Sequence, residues 1–387
     1  MKKVYFDNAA TTQLRSEVIH SITDTLKTEY GNPSSTHSYG RSSKSLIENS
    51  RKIIASFFNV SASEIIFTSG GSEADNLILR SCVRDLNVER IISSKIEHHA
   101  VLHTLEGLES QYGMEVKFVN LDECGNVDFE HLESLLQDTS KKTLVSLMHV
   151  NNEIGNILDL KRTALLCKKY NALFHSDTVQ SVGHYKMDFS NIPVDFAVAA
   201  AHKFHGPKGA GFAFIRKNSG LKPILIGGEQ ERGMRAGTEA VHSIAGMAEA
   251  LKIAYQNLEK EQAYISGIKE YFKQQITEKI KGVKFNGGCS DLANSTYTLL
   301  NVCLPIPPEK AMLLLFQLDL KGIACSKGSA CQSGSESGSH VLNAILSEED
   351  LLKPSVRFSF SIFNTKDEVD YVIEVLQEFI EKDSLVG

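Results

Sequence analysis

The chain has 387 residues, which is more than one hydrophobic core usually serves, so we expect two domains. Its hydrophobic content of 42% and charged content of 23% are typical of a soluble globular protein. A formal net charge of -6 disfavours a surface that binds nucleic acid or an anionic membrane.

The N-terminus and the cysteines both indicate a cytoplasmic protein. The start, MKKVYFDN, has no apolar stretch typical of a signal peptide, and no apolar run reaches the length of a membrane span. Seven cysteines, an odd number, without a secretory signal indicate reduced thiols. Their spacings match no metal site, so no bound metal is expected. We expect Cys82, Cys167 and Cys303, which lie in apolar or helical surroundings, to be packing residues.

Up to residue 215 the pattern predicts strands that alternate with helices. The predicted strands lie within residues 4–12, 64–68, 90–94, 116–120, 143–150, 172–177, 194–200 and 209–215. The predicted helices cover residues 16–29, 42–58, 74–86, 129–136 and 162–170. This alternation is typical of a mostly parallel sheet with helices on both faces, so we predict an α/β fold.

Polar residues follow the ends of several predicted strands. They are His98, Asn152, Asp177, His202 and Lys203. In open α/β sheets ligands bind at the carboxyl ends of the strands, so these side chains should share one site.

A glycine turn, Ser69-Gly70-Gly71-Ser72, separates the strand at 64–68 from the next helix. Backbone N–H groups at a helix start, together with the helix dipole, bind anions. The spacing fits neither a P-loop nor GxGxxG, so we expect a single phosphate here rather than a nucleotide.

The second half of the chain is less regular. A glycine-rich stretch at 227–238 precedes a long helical region at 241–281, and a smaller α+β domain follows. We predict a large domain of residues 15–260 and a small domain of residues 1–14 and 261–387. Within the small domain a glycine- and serine-rich loop, at about 322–342, should be mobile.

Lys203 follows a run of alanines, which is unusual for a strongly hydrated ammonium. It could be a loop lysine that extends to water. Alternatively, it could form a Schiff base with a carbonyl cofactor. This stretch alone leaves both interpretations open.

Several motifs, taken together and in order, resemble one family nearly from end to end. They are FDNAATT at 6–12, GNPSS at 31–35, FTSG at 67–70, EH at 97–98, HVNNEIG at 149–155, DTVQ at 177–180, HKFHGPKG at 202–209, QERG at 230–233, GT at 237–238, GSAC at 328–331 and RFS at 357–359. The chain resembles pyridoxal-phosphate-dependent cysteine desulfurases that supply sulfur for iron–sulfur clusters, in the subgroup with a long catalytic-cysteine loop. The resemblance implies an aminotransferase-like fold of type I.

The resemblance also implies a role for each residue around the cofactor ring. Lys203 is expected to form the Schiff base, and Asp177 is expected to contact the pyridine nitrogen. Gln180 should hydrogen-bond the phenolic oxygen, and His98 should stack on the ring and assist proton transfer. Asn152 should contact the ring oxygen or the substrate carboxylate. Without the resemblance, Asp177 would be read as a helix cap and His98 as a polar residue at a strand end.

The cofactor phosphate is expected on Gly71 and Ser72, with His202 and with Thr238 from the other subunit. A site shared in this way implies a homodimer. One departure affects the phosphate, because relatives usually carry a serine or threonine phosphate ligand where this chain has Ala200. Losing one such hydrogen bond costs on the order of 1 kcal/mol.

Arg357 is expected to bind the carboxylate of L-cysteine, for which a planar guanidinium is suited, although alone it could be a surface arginine at a strand edge. Cys331 is the expected nucleophile. It would take the sulfur as a persulfide, leaving L-alanine, and pass it to a sulfur acceptor such as an iron–sulfur scaffold or a tRNA-thiolation carrier. Cys325 is expected to be structural.

Two further departures lie near the C-terminus. Residues 337–342 are SGSHVL where relatives usually carry EPSHVL, and Ser361-Ile362 stands where relatives often have Gly-Arg. The alternative functions are a selenocysteine lyase, another pyridoxal-phosphate β-lyase or aminotransferase-like enzyme, and a non-catalytic sulfur-handling scaffold.

Overall fold

The computed structural model describes residues 2–327 and 338–381. Its strands are β1 Val4–Tyr5, β2 Ile65–Thr68, β3 Arg90–Ser93, β4 Glu115–Phe118, β5 Thr143–Ser146, β6 Leu173–Asp177, β7 Phe196–Ala200, β8 Gly211–Ile215, β9 Lys284–Phe285, β10 Leu299–Cys303, β11 Ile323–Ala324 and β12 Ser355–Ser359. Its α-helices are α1 Ser16–Thr28, α2 Ser38–Phe57, α3 Gly71–Leu86, α4 His99–Tyr112, α5 Phe129–Gln137, α6 Leu160–Lys169, α7 Val241–Gln256, α8 Leu258–Lys279, α9 Pro308–Leu320, α10 His340–Ile345, α11 Glu348–Leu351 and α12 Lys366–Glu381.

A central sheet joins strands in the order β2-β8-β7-β6-β5-β3-β4. The pairs from β4 to β7 are parallel, and β8 runs antiparallel to both of its neighbours. Strands β5 and β7 are buried along their whole length, as expected where helices cover both faces of a sheet. The predicted α/β fold with a mostly parallel central sheet is therefore confirmed.

Hydrophobic cores lie on both faces of this sheet. One core joins the sheet to α1, α2, α5, α6 and α7, and the other joins it to α3 and α4. None of the helices in the described parts of the chain combines the length and the hydropathy needed to cross a membrane.

A third core joins the beginning of the chain to its C-terminal part. It includes Val4, Phe6 and Ala9 together with side chains from α8, β10, β12 and α12. Here β12-β10-β9 form an antiparallel sheet, and β1 pairs with β11 in parallel. The N-terminal segment therefore begins at the small sheets and reaches the residues that follow β7 of the central sheet, where the Thr12 N–H donates to the His202 oxygen. The predicted domain boundaries stay a prediction.

Several predicted elements needed correction. Helix α4 was missed, and α2 begins four residues earlier than predicted because the His37 side chain caps it by accepting from the Gly40 N–H. The predicted helical region 241–281 is two helices that meet at Asn257. The predicted N-terminal strand is only two residues long. The chain then continues as a loop, in which the Thr12 N–H donates to the backbone oxygen of His202.

A buried ion pair attaches the glycine-rich stretch 227–238 to β2. Arg51 of α2 donates to both carboxylate oxygens of Glu231, at 2.6 and 2.9 Å, and the Phe67 N–H donates to the same carboxylate at 2.7 Å. Both charged side chains are almost fully buried, at 3% and 2% exposure. Glu231 is held with a positive φ of 47°, so these contacts maintain an unfavourable backbone conformation.

Glu231→Gln should lower the free energy of unfolding by about 3–5 kcal/mol, because it removes the buried counter-charge of the Arg51 guanidinium and leaves only the more exposed Glu48. Urea denaturation measures this loss. Glu48→Gln is the matched control, since Glu48 pairs with the same arginine from a position that is 36% exposed. The control should cost less than about 1 kcal/mol. Equal losses in the two variants would contradict the role assigned to the buried pair.

Candidate active site

A cavity of about 250 Å³ opens at the carboxyl edge of the central sheet, beside the start of α3. The residues predicted to lie at strand ends all line it, namely His98, Asn152, Asp177, His202 and Lys203. Gly71, Ser72, Gln180 and Arg357 line it as well. The parallel order of β3, β5, β6 and β7 explains the convergence, because their carboxyl ends lie side by side.

Among the described residues, one predicted site residue does not line this cavity. Thr238 is exposed on the described chain and is not among the lining residues. Cys331, together with the rest of residues 328–337 of the glycine- and serine-rich loop, lies outside the described residues.

Lys203 follows β7 on a short turn of 3-10 helix. Its Nζ donates to the backbone oxygens of Ala9 at 2.6 Å and Ala10 at 2.9 Å. The amine is thus held inside the cavity by the N-terminal segment, and it does not extend to bulk water as the simpler interpretation required. Gln180 donates to the same Ala9 oxygen at 2.9 Å, which leaves the second N–H of its amide for another acceptor.

Asp177 ends β6, and its Oδ1 accepts from the Val179 N–H at 2.9 Å. Burial raises the pKa of this carboxyl group to about 6, although the Val179 N–H and Lys203 both act to lower it. The alternative interpretation as a cap is partly correct, since Asp177 caps a turn rather than a helix. Its second oxygen is available to a positively charged ring nitrogen.

Asp177→Asn should stabilise the cofactor-free protein near neutral pH. The ordinary pKa of this group is 3.8 and the folded value is about 6, so its contribution to stability is complete below the ordinary value and is lost as the pH rises through 6. Removing the charge should raise the free energy of unfolding by up to about 3 kcal/mol near pH 7.5, and by roughly half of that near pH 5.

Urea denaturation of both proteins at the two pH values measures this effect. The same variant should bind the cofactor more weakly, because the counter-charge for the ring nitrogen is gone. A variant that is no more stable than the native chain at either pH would contradict the argument.

His98 caps helix α4, and its Nδ1 accepts from the Ala100 N–H at 3.1 Å. A nitrogen that accepts a hydrogen bond carries no proton, so the neutral ring has its proton on Nε2. Burial, aided by Lys203, lowers the pKa of His98 to about 4. The imidazole is therefore neutral at physiological pH and can donate from Nε2.

The start of α3 has the features of an anion site. Its N-cap, Gly70, offers no side-chain cap to the first backbone N–H groups of a 16-residue helix. A Cβ on Gly71 would lie 2.8 Å from Cγ2 of Val179, so only glycine fits there. The buried Nδ1 of His202 has no hydrogen-bond partner among the described residues, and the residue beside it in the cavity is the apolar Ala200.

Sequence analysis missed the buried acid Asp75, which lines the cavity. Asp75, one turn into α3, lies with its Oδ1 3.3 Å from Nε2 of His175 on β6. Burial, with Asp177 and Glu97 nearby, raises the pKa of Asp75 well above its ordinary value. No spacing pattern distinguishes this aspartate from a surface residue of an amphipathic helix.

Arg357 is buried at 2% exposure and does not lie at the surface as the alternative required. Its Nη1 donates to the backbone oxygen of Asn152 at 2.8 Å, and its Nη2 donates to Oδ1 of Asp7 at 2.9 Å. Asp7 was not predicted as a site residue, although it lies in the first of the family-like motifs.

The three cysteines that were expected to be packing residues lie in the interior. Cys82, Cys167 and Cys303 are buried. Burial, with Asp7 nearby, raises the pKa of the Cys325 thiol to about 12, so this thiol is protonated at neutral pH and is a poor nucleophile.

Comparison with known proteins decides the family. The family described as Aminotransferase class-V matches residues 4–372. The chain belongs to the class-V aminotransferase family.

Several curated proteins that are similar to the chain are named cysteine desulfurases. The chain is 38% identical to the cysteine desulfurase IscS of Dictyoglomus turgidum over 383 residues, which cover 98% of this chain and 95% of that protein. It is also 38% identical to the IscS of Methanosarcina thermophila over 385 residues, covering 98% and 93% of the two proteins. The predicted resemblance is therefore confirmed.

Solved structures agree with this placement. A NifS-like protein superimposes with a TM-score of 0.89 at 34% identity, and the match covers 98% of this chain and 100% of that chain. SspA, solved in complex with cysteine, superimposes with a TM-score of 0.81 at 28% identity, covering 94% and 100% of the two chains.

Proposed function

We propose that this protein is a pyridoxal-phosphate-dependent cysteine desulfurase that converts L-cysteine to L-alanine and transfers the sulfur to Cys331. One observation carries the proposal. In a chain related to cysteine desulfurases along nearly its whole length, a single cavity holds the amine of Lys203, the carboxylate of Asp177 and an uncapped helix start.

The lining residues fit pyridoxal 5'-phosphate. The helix start at Gly71 and Ser72, with the partnerless Nδ1 of His202, suits a phosphate. Asp177 suits a protonated ring nitrogen, and Lys203 suits an aldehyde. When bound, this cofactor supplies a carbonyl that condenses with amines and a ring that accepts the electron pair released at the substrate α-carbon.

The protein's own groups perform the remaining tasks. The carboxylate of Asp177 would stabilise positive charge at the ring nitrogen of the cofactor. Gln180 would donate its second amide N–H to the phenolic oxygen. The carbonyls of Ala9 and Ala10 hold the Lys203 amine close to the substrate when that amine is not bonded to the cofactor. His98 lies at the same cavity and donates from Nε2, so any proton it passes on must leave from that atom. Arg357 binds the substrate carboxylate.

The sulfur step leaves no excess atoms or electrons. The thiolate of Cys331 attacks the substrate sulfur, and an S–S bond forms as the C–S bond breaks. The electron pair of the C–S bond stays with the β-carbon, which takes up a proton, so the products are L-alanine and a persulfide on Cys331. The neighbouring Cys325 does not compete, because its thiol stays protonated at neutral pH.

A homodimer completes the cofactor site. Thr238 is exposed, and the nearby Leu225 and Ile226 are 46% and 88% exposed, respectively. Apolar side chains in this position favour burial against a second copy, with Thr238 reaching the partner's phosphate. The persulfide is then passed, in the cytoplasm, to acceptor proteins such as an iron–sulfur scaffold or a tRNA-thiolation carrier.

Incubation with L-cysteine tests the proposal. We expect alanine to accumulate and the mass of the Cys331 peptide to increase by one sulfur atom, with the extra mass lost on reduction. Absence of alanine would refute the desulfurase activity. Pyruvate, ammonia and sulfide formed in place of alanine would instead favour a β-lyase, and selenocysteine turnover that exceeds cysteine turnover would favour a selenocysteine lyase.

A further inference from the structure

We propose that Asp7 is a positioning residue for substrate recognition, which holds the guanidinium of Arg357 in the orientation that receives the α-carboxylate of an amino acid. The inference rests on the substrate-binding role given to Arg357 under the proposed function. The proposed function gives Asp7 no role.

The first support is the geometry of the guanidinium. Its two terminal nitrogens are held by different parts of the chain, Nη2 by the carboxylate of Asp7 at 2.9 Å and Nη1 by the backbone oxygen of Asn152 at 2.8 Å. Two hydrogen bonds from separate nitrogens fix the plane of the guanidinium group. Bidentate recognition of a carboxylate depends on that plane.

The second support is that Asp7 is itself rigidly placed. The residues on either side, Phe6 and Asn8, are 0% and 6% exposed. The Phe6 oxygen accepts from the Ser359 N–H at 2.8 Å, and the Asn8 side chain donates to the Ser359 oxygen at 2.8 Å. Since Ser359 lies two residues from Arg357 on β12, the carboxylate and the guanidinium are fixed on the same framework. Preorganisation of this kind is what a binding site requires.

The third support is continuity with the cofactor end of the cavity. Two residues after Asp7, the Ala9 oxygen accepts from both Lys203 and Gln180, and the Ala10 oxygen accepts from Lys203. The segment 7–10 therefore contacts both the proposed substrate clamp and the proposed cofactor lysine. Asp7 is the member of this segment that contacts Arg357 through its side chain.

A purely structural role is the competing explanation, because any buried arginine needs a counter-charge. The two roles differ in their effect on ligands. A positioning role affects only ligands that carry a carboxylate and acts only through Arg357, whereas a structural role affects all ligands alike.

The test compares L-alanine with ethylamine, which is the same amine without the carboxylate. Binding of each to the holoenzyme is followed by the visible absorbance of the cofactor, and kcat and KM are measured with L-cysteine. Asp7→Ala should weaken L-alanine binding and raise KM for L-cysteine by about tenfold or more, with a smaller change in kcat and less than about twofold change for ethylamine. Asp7→Asn keeps the size of the side chain and one acceptor oxygen, so its effect should be intermediate.

A double-mutant cycle tests whether the effect passes through Arg357. In an Arg357→Gln background, Asp7→Ala should cause no further loss of L-alanine affinity. Asp24→Ala, at an exposed position of α1, is the matched control and should leave both affinities unchanged. Urea denaturation of the cofactor-free variants shows that they fold, and Asp7→Asn replaces Asp7→Ala if the latter does not.

Three results would overturn the inference. They are equal losses for L-alanine and ethylamine, losses that add to those of Arg357→Gln, and an Asp7→Ala variant that binds L-alanine as the native enzyme does. A native enzyme that forms no alanine from L-cysteine is a separate result, which would refute the proposed function and this inference together.

Discussion

Cys331→Ser should reduce alanine formation from L-cysteine by at least about a thousandfold, because a hydroxyl group cannot replace a thiolate as the acceptor of sulfur. No persulfide should form anywhere on the chain. The visible absorbance of the bound cofactor should be unchanged, because the residues that line the cofactor cavity are intact. Alanine is measured by chromatography under single-turnover conditions, without reductant.

Cys325→Ser is the matched control. This thiol lies only six residues earlier, but it is protonated at neutral pH, and its loss should leave alanine formation within about twofold of the native rate. If Cys331→Ser keeps a native rate, or if the Cys325 variant is the inactive one, the assignment of the nucleophile is wrong.

Lys203→Ala should abolish covalent attachment of the cofactor and reduce alanine formation by at least about ten-thousandfold. The amine that attaches the carbonyl and exchanges protons at the substrate is removed. The backbone oxygen of Ala10 loses the Lys203 donor at the same time, and that of Ala9 keeps its hydrogen bond from Gln180. Borohydride reduction followed by mass spectrometry measures attachment, which should be seen on Lys203 in the native protein and on no peptide of the variant.

Lys208→Ala is the control, since this exposed lysine lies on the same loop and does not line the cavity. It should keep both attachment and activity. Cofactor attached to another lysine in the Lys203 variant, with activity retained, would show that the site has been assigned to the wrong amine.

Most of the central sheet and several of the residues that line the cavity could be predicted from the sequence. Apolar runs such as those of β5 and β7 are long and β-branched or alanine-rich, so local pattern is enough to place them. Polar residues at the ends of parallel strands converge for a purely topological reason. That is why His98, Asn152, Asp177 and Lys203 could be grouped before any coordinates were known. The family resemblance added their expected roles.

The starts of two helices were less predictable, because a capping side chain and not the hydrophobic pattern sets them. Helix α4 begins where His98 accepts from a backbone N–H, and α2 begins where His37 does the same. Histidine is not a usual cap, so neither start could be predicted from composition.

The sequence by itself determined the fold class, the family and many of the polar groups that line the cavity. The tertiary structure alone decided which groups lie close enough to change one another's charge and orientation. Asp7 contacts Arg357 across 350 residues of chain, and the Ala9 oxygen accepts from Lys203 across 194. Asp75 meets His175 only because α3 packs on β6. The charge and orientation of each group depend on which other groups lie near it in space and on how deeply it is buried. A local pattern of residues predicts neither.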